Sequence, residues 1–303
     1  MERRDWSGTA LTVLAGVSFG ALPLFVTWLS RAGVGVGLQV AVRLVVSVGV
    51  FAIILARVSP GNSRPVSPRQ WTLVAFNGLL MVSAFTTYVL SIALGTPPAK
   101  AILLVYLYPV FVALIGSRAL GERLTWRRGL GIAAGVAGAA VMVEFWTIRS
   151  LGQVRIGDFF ALANSVVYAG VVVLGRRGSV REQMRPLALT MWSFIFGLGW
   201  LCLGGLAMKL MNWGGEVFLG LPQAVTLRTL GDFLGIAIFG TAVPYGLMYA
   251  GLSRTEATTA SVLLLVEPIS VIVLSMLFLG QPISLWQGVG GAVILCAALL
   301  ASR

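Results

Sequence analysis

YPVFVALIGSRALGERLTWRRGLGIAAGVAGA, residues 108–139, returns 159 residues later as EPISVIVLSMLFLGQPISLWQGVGGAVILCAA, residues 267–298. At that constant offset Pro109 pairs with Pro268, Gly121 with Gly280, Gly129 with Gly288 and Gly131 with Gly290. Upstream, YVLSIALG from Tyr88 resembles YGLMYAGL from Tyr245 after a short gap, and Phe19-Gly20 corresponds more weakly to Tyr168-Ala169. The chain is a duplication. Its fold is then decided by how many membrane crossings fall in each copy.

Of the 303 residues, 58% are hydrophobic and 11% charged, with a mean hydropathy of +0.93. Soluble domains carry roughly a quarter charged residues. Apolar runs of about 18 residues or more recur along the chain, each long enough to cross a hydrocarbon core of about 30 Å as a helix. Reading them between polar or Pro/Gly-rich breaks gives ten helices, at 8–29, 36–56, 70–94, 99–119, 126–146, 157–175, 187–208, 230–252, 256–279 and 284–301. Five per copy is odd, so the second copy enters the membrane from the opposite side. The expected fold is an all-α polytopic membrane protein with ten transmembrane helices arranged as two inverted five-helix repeats, residues 1–150 and 151–303. Inverted repeats are the architecture of alternating-access carriers, with the site near the midplane between the halves.

A net charge of +12 raises the question of nucleic acid, but the basic residues sit in short loops between apolar spans and read as topology signals. With the N-terminus inside, fifteen Lys and Arg fall in inside segments, including Arg3, Arg4 and Arg303, and six fall outside, including Arg149; Arg43 lies within a span. The asymmetry predicts both termini in the cytoplasm of a cell whose inner membrane holds the chain. Trp6, Trp28, Trp71, Trp126, Trp146, Trp213 and Trp286 lie near span ends, where amphipathic rings settle at the interface. The basic start Met1–Trp6 runs into an apolar stretch of full membrane length, so no cleavable leader is expected.

The chain has no histidine and two cysteines, Cys202 and Cys296, each in an apolar span. This removes His-based metal sites, Ser-His-Asp triads and Cys-His nucleophiles; a Cys202–Cys296 disulfide stays open on spacing alone. Acidic residues are scattered singly, which argues against a membrane enzyme. The chain has no Gly-x-x-x-x-Gly-Lys-Ser/Thr run to hold ATP. No metal and no cofactor is expected.

ALGTPPAKAILLVYLYPVFVALIGSRALGERLT (93–125) and LLLVEPISVIVLSMLFLGQPIS (263–284) resemble the paired signature blocks of the drug/metabolite transporter superfamily, EamA-type branch. The second block departs from it in carrying Gln281 where an acid is usual, so an acidic role at that turn is not essential in both repeats. The resemblance implies a transporter that exports or imports a small metabolite, without identifying which one; the leading reading is a secondary transporter moving an amino acid outward by alternating access. A multidrug or organic-cation exporter of the same superfamily is the alternative. It also implies that helices 1, 3, 4, 6, 8 and 9 line the pathway, with helices 5 and 10 bracing each half from outside.

Only two charges lie deep in the bilayer, where each costs upward of about 2.5 kcal/mol. Glu267 is eleven residues into its span, about 16 Å deep; Arg43 is seven residues past Val36, about 10 Å deep. Glu267 has three competing roles: contact with a cationic part of the substrate, proton carriage, or a structural role at the helix break before Pro268 or beside Arg43. Arg43 either faces the pathway or snorkels to the outer interface. Tyr88, Tyr106, Tyr108, Tyr168, Tyr245 and Tyr249 all fall within spans, and a phenol facing lipid would lack partners. Asn164 and Tyr168 share a helical face, as do Tyr245 and Tyr249. The candidate pathway set is Glu267, Arg43, Tyr88, Tyr106, Asn164, Tyr168, Tyr245 and Tyr249.

Close helix packing is expected at Gly16 and Gly20, at Gly231 and Gly235, and at Gly131, Gly135 and Gly138. Pro23, Pro109, Pro244 and Pro268 are candidate kinks. The expected partners are a small-molecule substrate and the lipid bilayer, not nucleic acid. The expected working unit is a monomer, a dimer being compatible with the same sequence.

Overall fold

Proline spacing explains where the helices interrupt. The computed structural model describes residues 6–58, 64–148, 152–210, 220–221, 226–280 and 282–302. Arg3, Arg4, Arg149, Trp213, Gln281, Arg303 and the centre of the 56–70 loop lie outside the described residues. Ten helical rods follow in order: α1 (Trp6–Phe19 and Leu22–Arg31), α2 (Val36–Val58), α3 (Pro68–Ala93), α4 (Pro98–Val105 and Tyr108–Ala119), α5 (Trp126–Met142), α6 (Ile156–Val180), α7 (Pro186–Leu210), α8 (Leu227–Ala237, a π turn at Ile238–Ala242, then Val243–Leu252), α9 (Ala257–Leu264 and Glu267–Leu279) and α10 (Leu285–Ala301).

Proline lacks an N–H and its ring collides with the carbonyl four residues earlier. The first segments of α1, α4 and α9 end at Phe19, Val105 and Leu264, the residues four before Pro23, Pro109 and Pro268. In α8 the same conflict, between Pro244 and Gly240, is absorbed by the π turn. The four expected kinks are thus four interruptions. Freed donors are taken up by tighter i→i−3 bonds, as from Leu265 N to Val262 O at 3.1 Å and Val266 N to Leu263 O at 3.3 Å.

The repeat is visible residue by residue. The segments 98–105 and 257–264, and the helices 126–142 and 285–301, share the 159-residue offset. Gly121 and Gly280 both adopt positive φ, +75° and +67°, in the left-handed turn that lets the chain reverse after α4 and α9. Thr125 and Ser284 then cap α5 and α10 by accepting from Arg128 N and Gln287 N.

Eight rods are long and apolar enough to span a membrane. Helices α5 and α10 have 17 residues each, about 25 Å, and complete the ten. The two halves interleave: α3 lies on α6 and α7, α1 on α8 and α9, α2 on α7, and α4 on α6. Helices α5 and α10, expected to brace each half from outside, pack on each other. Gly138 and Gly290 make that crossing, since a Cβ on Gly290 would sit 2.6 Å from Gly138 O. Gly16 and Gly20 press on α9 around Leu264 and Ser270, and Gly235 receives Phe25. A Cβ on Gly231 would meet nothing within 4 Å, so half of that expected motif is not a point of close helix approach. Cys202 and Cys296 are free thiols, which closes the disulfide question.

Candidate functional site

The four interruptions converge on one cavity of about 360 Å³, lined among others by Phe19, Leu22, Pro23, Tyr106, Tyr108, Ile236, Tyr245 and Glu267. A cavity of this size suits a small organic solute. Breaking the helices there shifts side chains and backbone off the regular packing surface and leaves room between the halves. Helices α1, α3, α4, α6, α8 and α9 contribute, and α2 adds Val36, Gln39, Val40 and Arg43, a wall of which only Arg43 was expected from the sequence.

Seven of the eight candidate residues border this space: Glu267, Arg43, Tyr88, Tyr106, Asn164, Tyr168 and Tyr245. Tyr249 does not. It is fully buried, and its hydroxyl accepts from Asn77 Nδ2 at 2.6 Å while the same amide donates to Ser193 Oγ at 2.9 Å. The four-residue spacing places Tyr249 on the face of Tyr245, but about 6 Å further along the axis, past the cavity floor.

Arg43 does not snorkel. It is 4% exposed, and its guanidinium carbon lies 4.1 Å from the centroid of the Phe85 ring, a cation–π contact that covers one face. Its Nε and Nη2 have no hydrogen-bond partner among the described residues. No ion pair joins it to Glu267 among the described residues.

Glu267 opens the second segment of α9 and is half-buried. Its carboxylate shows no hydrogen bond to protein among the described residues. The break at 265–266 satisfies its own donors, so the capping role considered for this carboxylate is not realised. The positive end of the helix segment beneath it helps a carboxylate to sit at this depth.

The aromatic walls are interlocked. Tyr245 meets Phe19 edge-on at 5.0 Å and Phe194 at 5.3 Å, and Tyr108 meets Tyr168 at 4.9 Å. Tyr108 is further pinned by donation to Ser261 O at 2.9 Å. Asn164 spends its amide nitrogen on Ala84 O and Thr87 Oγ1, tying α6 to α3. Gln39 donates to Val34 O at 3.0 Å and Ser30 Oγ at 3.2 Å. Sequence reasoning passed over Phe85 and Gln39, although Gln39 stands four residues before Arg43 on the same face.

The cavity is lopsided. Its lining comes from the parts of the helices that run toward loops 32–35, 94–97 and 152–155, with half-buried Val26, Thr27 and Val36 among them. Toward the other end lies a solid layer of fully buried residues, Thr12, Leu189, Met248, Leu252, Ala257 and Ala260. That end is fastened across the halves. Glu122 accepts from Ala257 N at 2.7 Å and from Thr258 N at 3.0 Å, and Arg128 pairs with Glu256; within the second half, Arg176 Nη1 donates to Leu252 O at 2.9 Å. At the opposite end Lys100 pairs with Asp158 at 2.7 Å, and Asp158 also accepts from Thr96 Oγ1 at 2.8 Å and Arg155 N at 2.9 Å.

The sequence profile of the EamA-like transporter family matches residues 6–144 and again 155–303. A protein of Streptantibioticus cattleyicolor named "Probable terminal-alkyne amino-acid exporter" is 30% identical, over 100% of this chain and 94% of its own. An "Uncharacterized transporter" of Archaeoglobus fulgidus is 28% identical over 234 residues, 76% of this chain and 75% of its own. A crystal structure 20% identical in sequence aligns with a TM-score of 0.77 over 97% of this chain and 96% of the other; that likeness is one of fold.

Proposed function

Because the chain belongs to the EamA-like transporter family, we propose that it is a secondary carrier that exports a small metabolite, an amino acid, across the inner membrane by alternating access. The observation that carries the reading is one cavity at the level of the helix breaks holding one cation, Arg43, and one carboxylate, Glu267, that do not pair with each other. A zwitterion offers each its opposite charge. The name of the Streptantibioticus relative points the same way. With the arginine-rich loops in the cytoplasm both termini are cytoplasmic. The solid layer then faces inward and the cavity outward, one of the two states such a cycle needs.

An organic-cation exporter is the second reading, favoured by the tyrosine and phenylalanine walls that would attract a cation. Arg43 in the same cavity repels such a substrate. The test is growth of cells expressing the protein on toxic amino-acid analogues and, separately, on quaternary ammonium compounds. Protection against the analogues alone is expected; protection against the quaternary ammonium compounds alone would replace the amino acid with a cation.

A further inference from the structure

We propose that the Nε–Nη2 edge of Arg43 is the receptor for the substrate's carboxylate, so that an anionic group is an entry requirement for cargo. The inference rests on the carrier reading of the cavity and names the group that decides which molecules use it. A guanidinium carries five N–H donors, of which Nε supplies one and Nη2 two. Those two nitrogens are buried without a partner among the described residues, in a side chain only 4% exposed.

Buried donors of a charged group are costly when left unmade. The residues around Arg43 do not relieve that cost. Phe85 covers a face and supplies no acceptor. Gln39, four residues away on the same helix, turns its amide toward Ser30 and Val34. Glu267 is the one carboxylate among the described lining residues, and it forms no ion pair with Arg43. The missing acceptor therefore comes from outside the protein.

The Nε–Nη2 edge presents two parallel N–H vectors, which match the two oxygens of a carboxylate in a bidentate fork. Phe85 holds the guanidinium from one face, and Arg43 is one of the residues that line the cavity. The edge is organised before the ligand arrives, which lowers the cost of binding. Glu267, on a different helix, is left for the ammonium end. An amide or ester would offer the fork one neutral carbonyl in place of two charged oxygens, and a decarboxylated amine nothing, a loss on the order of 100-fold in apparent affinity.

The experiment is counterflow in proteoliposomes of the whole chain. The labelled probes are alanine, leucine, phenylalanine and tetraphenylphosphonium, with the amide and the decarboxylated amine of each amino acid as competitors. The expected result is saturable amino-acid exchange that these competitors inhibit about 100-fold less well than the parent amino acid. R43Q is expected to erase that preference, and R43K to retain part of it, since lysine keeps the charge but not the fork. If R43Q fails to fold, the wild-type competitor ratios and R43K still decide the matter. Equal inhibition by amino acid and amide, or a preference that survives R43Q, overturns the inference while leaving the carrier standing. Exchange of tetraphenylphosphonium alone overturns the amino-acid reading and this inference together. No saturable exchange of any probe overturns the carrier reading itself.

Discussion

The carboxylate of Glu122 receives both the backbone N–H and the hydroxyl of Thr258, at 3.0 and 2.9 Å. The two residues belong to different halves, so the contact spans the repeat. A carboxylate at the start of the first α9 segment is favoured by the partial positive charge of the free N–H groups there. This contact fastens the packed end of the bundle. E122A is expected to loosen that end and shift the carrier toward the opposite opening by on the order of 10-fold, from the loss of charge-assisted hydrogen bonds. Maleimide labelling of S261C, introduced at a fully buried position, measures it from the cytoplasmic side. Labelling unchanged by E122A would remove the strut.

The crossing of α5 and α10 is set by backbone contact. G290A puts a methyl group 2.6 Å from both Gly138 O and Met142 N, so the helices must part, at about 1–3 kcal/mol. G288A meets nothing within 4 Å and trades a helix-interior glycine for alanine, a gain of up to about 1 kcal/mol. Thermal unfolding in detergent should move in opposite directions for the two variants. Equal shifts would show that the crossing is not held by Gly290.

Tyr249 is a structural residue in this account. Y249F removes the 2.6 Å bond from Asn77 and should lower stability by about 1 kcal/mol, with the pattern of transported compounds unchanged. A changed substrate profile in Y249F would return the residue to the pathway.

On the proposed reading, Glu267 meets the ammonium end of the cargo. E267Q keeps the shape and removes the charge, so transport at low substrate concentration should fall on the order of 10-fold or more, while detergent-solubilised protein stays folded. Flux driven by a pH gradient tests its other role. If E267Q responds to the gradient as the wild type does, Glu267 carries no coupled proton.

Much of the fold was legible because the signals are local. Each of the four prolines dictates a break or bulge within its own helix, and the 159-residue offset of the repeat reappears in the helix boundaries. The site was legible to the extent that burial is costly: charges and phenols deep in apolar spans must find polar company, and seven of the eight chosen residues border one cavity. What sequence could not show is which neighbour each residue meets on another helix. Arg43 stays buried because of Phe85 on α3, and Tyr249 leaves the pathway because Asn77 on α3 reaches it. Glu122 stood in the quoted signature, yet its partners lie 135 and 136 residues away. The cavity floor lies between two tyrosines on one face, a level that periodicity does not mark.

The central claim is that one site between inverted halves is exposed alternately to the two sides. Trans-stimulation in proteoliposomes tests it most directly: entry of labelled leucine is followed into vesicles preloaded with unlabelled leucine and into empty ones. The account predicts saturable entry that internal leucine accelerates several-fold, as a carrier returning loaded requires. Entry that rises linearly with concentration and ignores the internal pool would describe a pore and contradict it.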